Sequence, residues 1–289
     1  MLHIIKDVHN VLGTFVTIKI VHPDVNEGIS AMHAAFDEVH RIHGLMNVHQ
    51  QSSEVGILNR EGHYEGVSDD TRHVIQRANS FSELMEGGFD ITILPLLELW
   101  EENVSKSKVP TEAEIIERLE LVNYRNILIQ DKNVSFRKRG MGITLAGVAK
   151  GYAVDKAIEA LVQCNIRHAL VNAGGDIRVI GGKGQNIPWR IAIRDPRDKT
   201  RIVTTVELYG QAIATSGTYQ RSFDDIINPK VGRPTQGVLS STVIANTAMD
   251  ADVLATCMFI LEAEKGIELT GKLDGVKAFV IRSDGSILN

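Results

Sequence analysis

Stretches rich in β-branched residues alternate along this chain with segments whose apolar positions recur every three or four residues. Residues 11–21 (VLGTFVTIKIV) predict a strand, and residues 29–45, apolar at helical spacing, predict a long helix. The polar stretch 46–59 reads as a loop. A second helix is expected over 69–85, stopped by Gly87 and Gly88. After Pro110, Thr111 and Glu114 have the spacing of a capping box and open a third helix. Short strands are expected at 127–130, 134–136 and 141–145, then a fourth helix over 148–163. Strands at 169–172 and 176–180 flank a Gly-Gly turn, and 189–194 with 202–208 read as a hairpin. A strand at 242–245 leads into a last helix over 249–264, and 278–281 closes the chain as a strand. So many neighbouring strands joined by short turns predict an α+β fold with mixed or antiparallel sheets and flanking helices. No linker, repeat or low-complexity tract divides residues 1–289, so a single domain is expected.

Composition narrows the class. At 289 residues, 43% hydrophobic and 23% charged, the chain can bury a large core. A net charge of −5 argues against a nucleic-acid binder that works by neutralising phosphates. No apolar window reaches the roughly 18 residues a membrane-spanning helix needs. The opening residues lack a basic segment followed by a long apolar one, so a cytoplasmic location is expected unless a leader has been removed. Cys164 and Cys257 both fall in helical patterns among apolar neighbours and read as buried free thiols.

Candidate chemistry begins with Asp252 and Thr256, four residues apart on an otherwise apolar helix. Two readings stand. The oxygens could hold a hard cation such as Mg²⁺, or Asp252 could complement the helix dipole while Thr256 bonds back to a carbonyl. Residues 144–155 (TLAGVAKGYAVD) place small residues before a helix whose first turn carries Lys150. That suits either an anion site or close helix–strand packing. The turn NAGGD (172–176) and the segments ATSGTY (214–219) and GGFDITILPL (87–96) are compatible with ligand contact, but turns and caps are their defaults.

Taken in order, these segments resemble the ApbE family of FAD:protein FMN transferases over nearly the whole chain. LGTFVTIKI resembles its opening Met-Gly-Thr strand, with Leu12 in the Met position. SSEVGILN (52–59), GGFDITILPL, TLAGVAKGYAVD, VNAGGDI, ATSGTY and the helix carrying Asp252 and Thr256 resemble its later motifs. The resemblance implies two intimately packed lobes with FAD between them. It also implies Mg²⁺ held by the Gly147 carbonyl, Asp252 and Thr256. Leu12, Val48, His49, Asp90, Lys150, Gly174, Gly175, Ser216 and Gly217 would contact FAD. FMN would pass to a Thr or Ser of an acceptor flavoprotein, with AMP leaving. No nucleic acid is implied, and membrane contact would come only through the acceptor. The family further implies the cell envelope if a leader was removed.

Four positions depart from the family pattern. Asp225 stands where the family has histidine, Asn228 where it has aspartate, Thr144 opens the Asp-Leu-Gly-Gly motif, and His49 replaces an aromatic residue. Asp225 is the candidate catalytic base beside Asp252; a carboxylate can take a proton but cannot mimic a cationic imidazole. Hydrolysis of FAD to FMN and AMP, or FAD binding without chemistry, are therefore alternatives to transfer.

Overall fold

The computed structural model describes residues 1–184, 187–217, 226–261 and 263–289, with Lys199 described by its backbone alone. The chain opens as a hairpin, β1 (His3–Val11) and β2 (Thr14–His22), and not as the one strand that residues 11–21 predict. Leu12 and Gly13 both adopt positive φ, 60° and 70°, the conformation of a two-residue turn that matches strand twist. Glycine suits it. A leucine held there costs about 1–3 kcal/mol, which the nine-pair β1–β2 ladder must sustain.

Helix α1 (Val25–Met46) follows, its first turn capped by the Asp24 carboxylate. The polar segment that reads as a loop contains α2 (Glu54–Glu61), started by Ser53, whose hydroxyl accepts from the Gly56 N–H. Next come β3 (His63–Glu65), α3 (Asp69–Leu84), α4 (Leu94–Ser105) and α5 (Glu112–Leu119). The expected capping box of Thr111 and Glu114 is formed. After β4 (Ile127–Gln130) and β5 (Asn133–Phe136), residues 141–145 are buried but pair with no described strand. Instead the Asn59 side chain accepts from the Ile143 N–H at 2.7 Å and donates to its carbonyl at 2.8 Å. A side chain 84 residues away thus does the work of a partner strand, which a local pattern cannot reveal.

The remaining elements are α6 (Ala149–Gln163), β6 (Ala169–Ala173), β7 (Asp176–Ile180), β8 (Trp189–Asp195), β9 (Asp198–Leu208) and β10 (Ala212–Gly217). They are followed by β11 (Ile227–Asn228), β12 (Arg233–Pro234), β13 (Val238–Ala245), α7 (Ala248–Ile260), α8 (Ala263–Thr270), β14 (Lys277–Arg282) and β15 (Ile287–Leu288). The single C-terminal helix expected over 249–264 is two, because Leu261 turns to extended backbone at the end of α7.

The main sheet has the order β1-β2-β6-β7-β10-β13-β14-β15 and is antiparallel throughout. Helices α1, α6 and α7 cover one face, and the β8–β9 hairpin covers the other through Trp189, Ile193 and Leu208. A three-stranded sheet, β3-β5-β4, contributes Ile127 and Val134 to the same interior as the main sheet, so the parts pack around one core. Helices α4 and α5 enclose a satellite cluster, where Trp100 Nε1 donates to the Gly232 carbonyl at 2.8 Å. Cys257 is buried in α7, as expected. Cys164 is exposed at the end of α6, contrary to its apolar sequence neighbourhood.

Candidate active site

Ten of the thirteen residues of α7 are buried, so it has no solvated face. A carboxylate in such a helix needs a partner, and Asp252 finds it at the start of α6. Its Oδ2 accepts from the Gly151 N–H at 3.2 Å, at a helix start where Val148 supplies no side-chain cap. The favour is returned. Asp155 of α6 accepts from the Ala248 and Met249 N–H groups of α7, both at 2.9 Å, and from Arg178 at 2.7 Å.

The two helices touch at Gly151 and Ala248. A Cβ built on Gly151 would lie 2.3 Å from the Ala248 carbonyl oxygen, so only glycine permits this approach. Each aspartate sits four residues beyond its helix's contact residue. Helical side chains tilt toward the N-terminus, so each carboxylate reaches back over the contact to the other helix's first turn. The crossing and the two caps hold one another in register.

Beside this clasp lies a cleft of about 330 Å³. Lys150, one third exposed, bonds through Nζ to Asp176 and stands 3.5 Å from Asp252 Oδ1. Burial pulls the Lys150 ammonium pKa down, but the two carboxylates outweigh it and hold the group above the usual lysine range. Burial, and then the Asp252 charge, push the Asp176 carboxyl up against the pull of Lys150. One cation faces two acids here. Thr256 Oγ1 donates to the Asp252 carbonyl at 3.2 Å and lies 3.4 Å from Ser216 Oγ.

The structure gathers most of the candidate residues. Leu12, Asp90, Gly147, Lys150, Gly174, Ser216, Gly217, Asp252 and Thr256 all line the cleft. Thr256 makes the back-bond of the plainer reading and also lines the cleft, so the two readings are compatible. Asp90 has both oxygens engaged: Oδ1 accepts from the Thr92 N–H and hydroxyl, and Oδ2 from the Tyr124 N–H. It fixes the wall of the cleft as a cap. Gly175 lines a neighbouring slot and not the cleft, and Val48 and His49 are not among the cleft-lining residues. Asp225 lies outside the described residues. Asp176 is the site residue that the sequence reading passes over. Its signal is an acid directly after a glycine pair, at the start of a short strand, Asp176–Ile180, that is apolar apart from Asp176 and Arg178.

Whether a hard divalent cation suits this place is a question of donors. Asp252, Thr256 and the Gly147 backbone offer only oxygen, and a Cβ on Gly147 would project to 3.7 Å from Thr256 Oγ1, filling the space between them. Among the described residues no cluster of three or more His, Cys, Asp or Glu could hold a metal alone. Few protein ligands, with water and phosphate completing the shell, is the Mg²⁺ pattern. The donor set fits.

The ApbE family model matches residues 12–280, and the chain belongs to that family. It is 30% identical over 273 residues to the FAD:protein FMN transferase of Vibrio cholerae serotype O1, covering 89% of this chain and 81% of that one. With the enzyme of the same description from Klebsiella pneumoniae it shares 29% over 266 residues, covering 88% and 82%. Among solved structures, the ApbE protein of Thermotoga maritima superposes with a TM-score of 0.91 at 32% identity, covering 99% of this chain and 97% of that one. The flavin transferase ApbE of Vibrio cholerae superposes at 0.84 and 28% identity, covering 100% and 96%. The α+β architecture expected from the strand pattern is the one these neighbours share.

Proposed function

We propose that this protein is a transferase, an Mg²⁺-dependent FAD:protein FMN transferase that moves FMN from FAD onto a Thr or Ser of an acceptor flavoprotein and releases AMP. The observation that carries the reading is the cleft at the α6–α7 crossing, where Lys150, Asp176, Asp252, Thr256 and Gly147 converge. Membership of a family whose named relatives are FAD:protein FMN transferases supports it.

In this reading the FAD pyrophosphate lies beside Lys150. The acceptor hydroxyl oxygen forms a bond to the phosphorus on the FMN side. The phosphoanhydride bond breaks, AMP departs with the electron pair, and the hydroxyl proton passes to a base. Asp225 is assigned as that base from its place in the sequence. Asp252, Thr256 and the Gly147 carbonyl would hold Mg²⁺, which supplies charge neutralisation at the two phosphates. The charge balance argues for such a cation. One ammonium against two carboxylates leaves no net positive charge to receive a pyrophosphate, and a divalent ion reverses the sign.

The test is incubation with FAD, Mg²⁺ and a candidate acceptor, followed by intact-mass spectrometry. FMN mass on the acceptor supports transfer. Free FMN and AMP would make the protein a pyrophosphatase, and intact FAD in complex would leave it a binding protein. A location in the cell envelope would follow if the acceptor is exported.

A further inference from the structure

The β8–β9 hairpin closes on the outer face of the main sheet along most of its length, but not at one end. Ile177, Ile193 and Ile213 are buried between the two layers. Beyond them the layers part into a slot of about 490 Å³. Gly174 and Thr215 line both the slot and the cleft, so the two cavities meet. Gly174 and Gly175 at the junction have φ of 62° and 115° and place no side chain in the way.

Six consecutive residues, 191–196, line this slot. Alternate side chains of a regular strand point to opposite faces, so the unbroken run 191–193 lines the cavity with its backbone edge, while register shifts around Arg194 break the alternation in the rest of the run. Among the described residues β8 pairs with β9 alone, so that edge carries no neighbouring strand. An unpaired edge is a template for another extended chain. Arg194 on this edge is exposed and has no hydrogen-bond or ion-pair partner among the described residues. The slot therefore offers backbone pairing, an apolar floor, one unspent positive charge and an opening onto the reacting centre.

We propose that the slot binds the acceptor protein. An extended acidic segment adds as a strand to the free edge of β8, sets a carboxylate on Arg194, and presents its Ser or Thr across Gly174 and Gly175 to the cleft. The assignment rests on the transferase reading above. Backbone pairing tolerates varied sequences, while Arg194 selects for charge. Lys150 and the α6–α7 crossing stay with FAD, so the two substrates approach from different sides, as an in-line displacement requires.

A phage-displayed library of random peptides, each with one fixed Thr, is incubated with the protein, FAD and Mg²⁺, and flavin-labelled clones are sequenced. Wild type is expected to select peptides rich in Asp or Glu near the Thr. Arg194→Glu should lose at least about tenfold in labelling of those peptides and turn to Lys- or Arg-rich ones, because like charges oppose docking. Its FAD affinity, read by flavin fluorescence, should stay unchanged. Selection without acidic bias, or the same peptides labelled equally by Arg194→Glu, would overturn the slot assignment. Wild type that binds FAD yet labels no peptide would overturn the transferase reading, and the slot assignment with it.

Discussion

Replacing Gly151 by alanine should damage both stability and activity, and the damage can be sized from the helix crossing. The new Cβ would lie 2.3 Å from the Ala248 carbonyl oxygen, 2.6 Å from its carbon and 2.7 Å from Met249 Cα. All three are backbone atoms that no rotamer change can move. Restoring ordinary contact distances requires α6 and α7 to part by about 1 Å. Alanine gains about 1 kcal/mol in helix propensity over glycine. Overpacking costs about 1–3 kcal/mol, and loss of the charged bond from the Gly151 N–H to Asp252 about 1.5–3 kcal/mol. The clash and the lost bond win, leaving a net loss of roughly 1.5–5 kcal/mol. At a conversion of about 2–4 °C per kcal/mol, the Tm should fall by roughly 3–20 °C. Because Asp252 moves with α7, FMN transfer should fall by about a hundredfold, as a displacement of this size at a reacting centre implies. The measurements are a thermal melt by circular dichroism and initial transfer rates at temperatures where the variant is folded. A variant that melts with wild type and transfers FMN within about twofold of it would refute the claim that this crossing positions Asp252.

Further outcomes can be checked with the same assays. Asp252→Ala should remain folded, since Lys150 keeps Asp176, but should lose its Mg²⁺-dependent turnover; added Mg²⁺ that still accelerates the variant would count against the metal assignment. Asp155→Ala removes the shared acceptor of Arg178 and two α7 N–H groups and strands a half-buried guanidinium, so urea unfolding should show a loss of about 3–5 kcal/mol. Asp225→Asn should lower transfer with little change in FAD affinity if that carboxylate takes the hydroxyl proton; an unaffected rate would leave the base unassigned. The Asp195 carboxyl is held at about 2 by the Arg197 guanidinium and N–H, below its ordinary 3.8. A depressed folded-state pKa stabilises fully above the unfolded value, so the stability gap between wild type and Asp195→Asn should narrow as pH falls from about 4 toward 2, followed by tryptophan fluorescence.

What the sequence determined on its own is local in range. The capping box of Thr111 and Glu114, the Gly-Gly turn before Asp176, and the placement of Asp252 and Thr256 on one helical face follow from spacings of three or four residues, and each is realised. The order of the motifs along the chain also pointed to the family that the model match over 12–280 establishes. The tertiary structure decided everything that depends on distant partners. It made Leu12 a turn residue in place of a strand residue, because β1 had nine pairs to make with β2. It gave residues 141–145 a side chain for a partner, and it assigned Asp90 to capping. It joined Asp155 to α7 and Asp252 to α6 across 93 and 101 residues of sequence. It also left β8 with β9 as its one strand partner among the described residues, beside the slot that adjoins the cleft. The physical reason is that propensity and periodicity act over one or two turns. A buried carboxylate takes whichever N–H the packed helices bring to it, and only the fold brings them there.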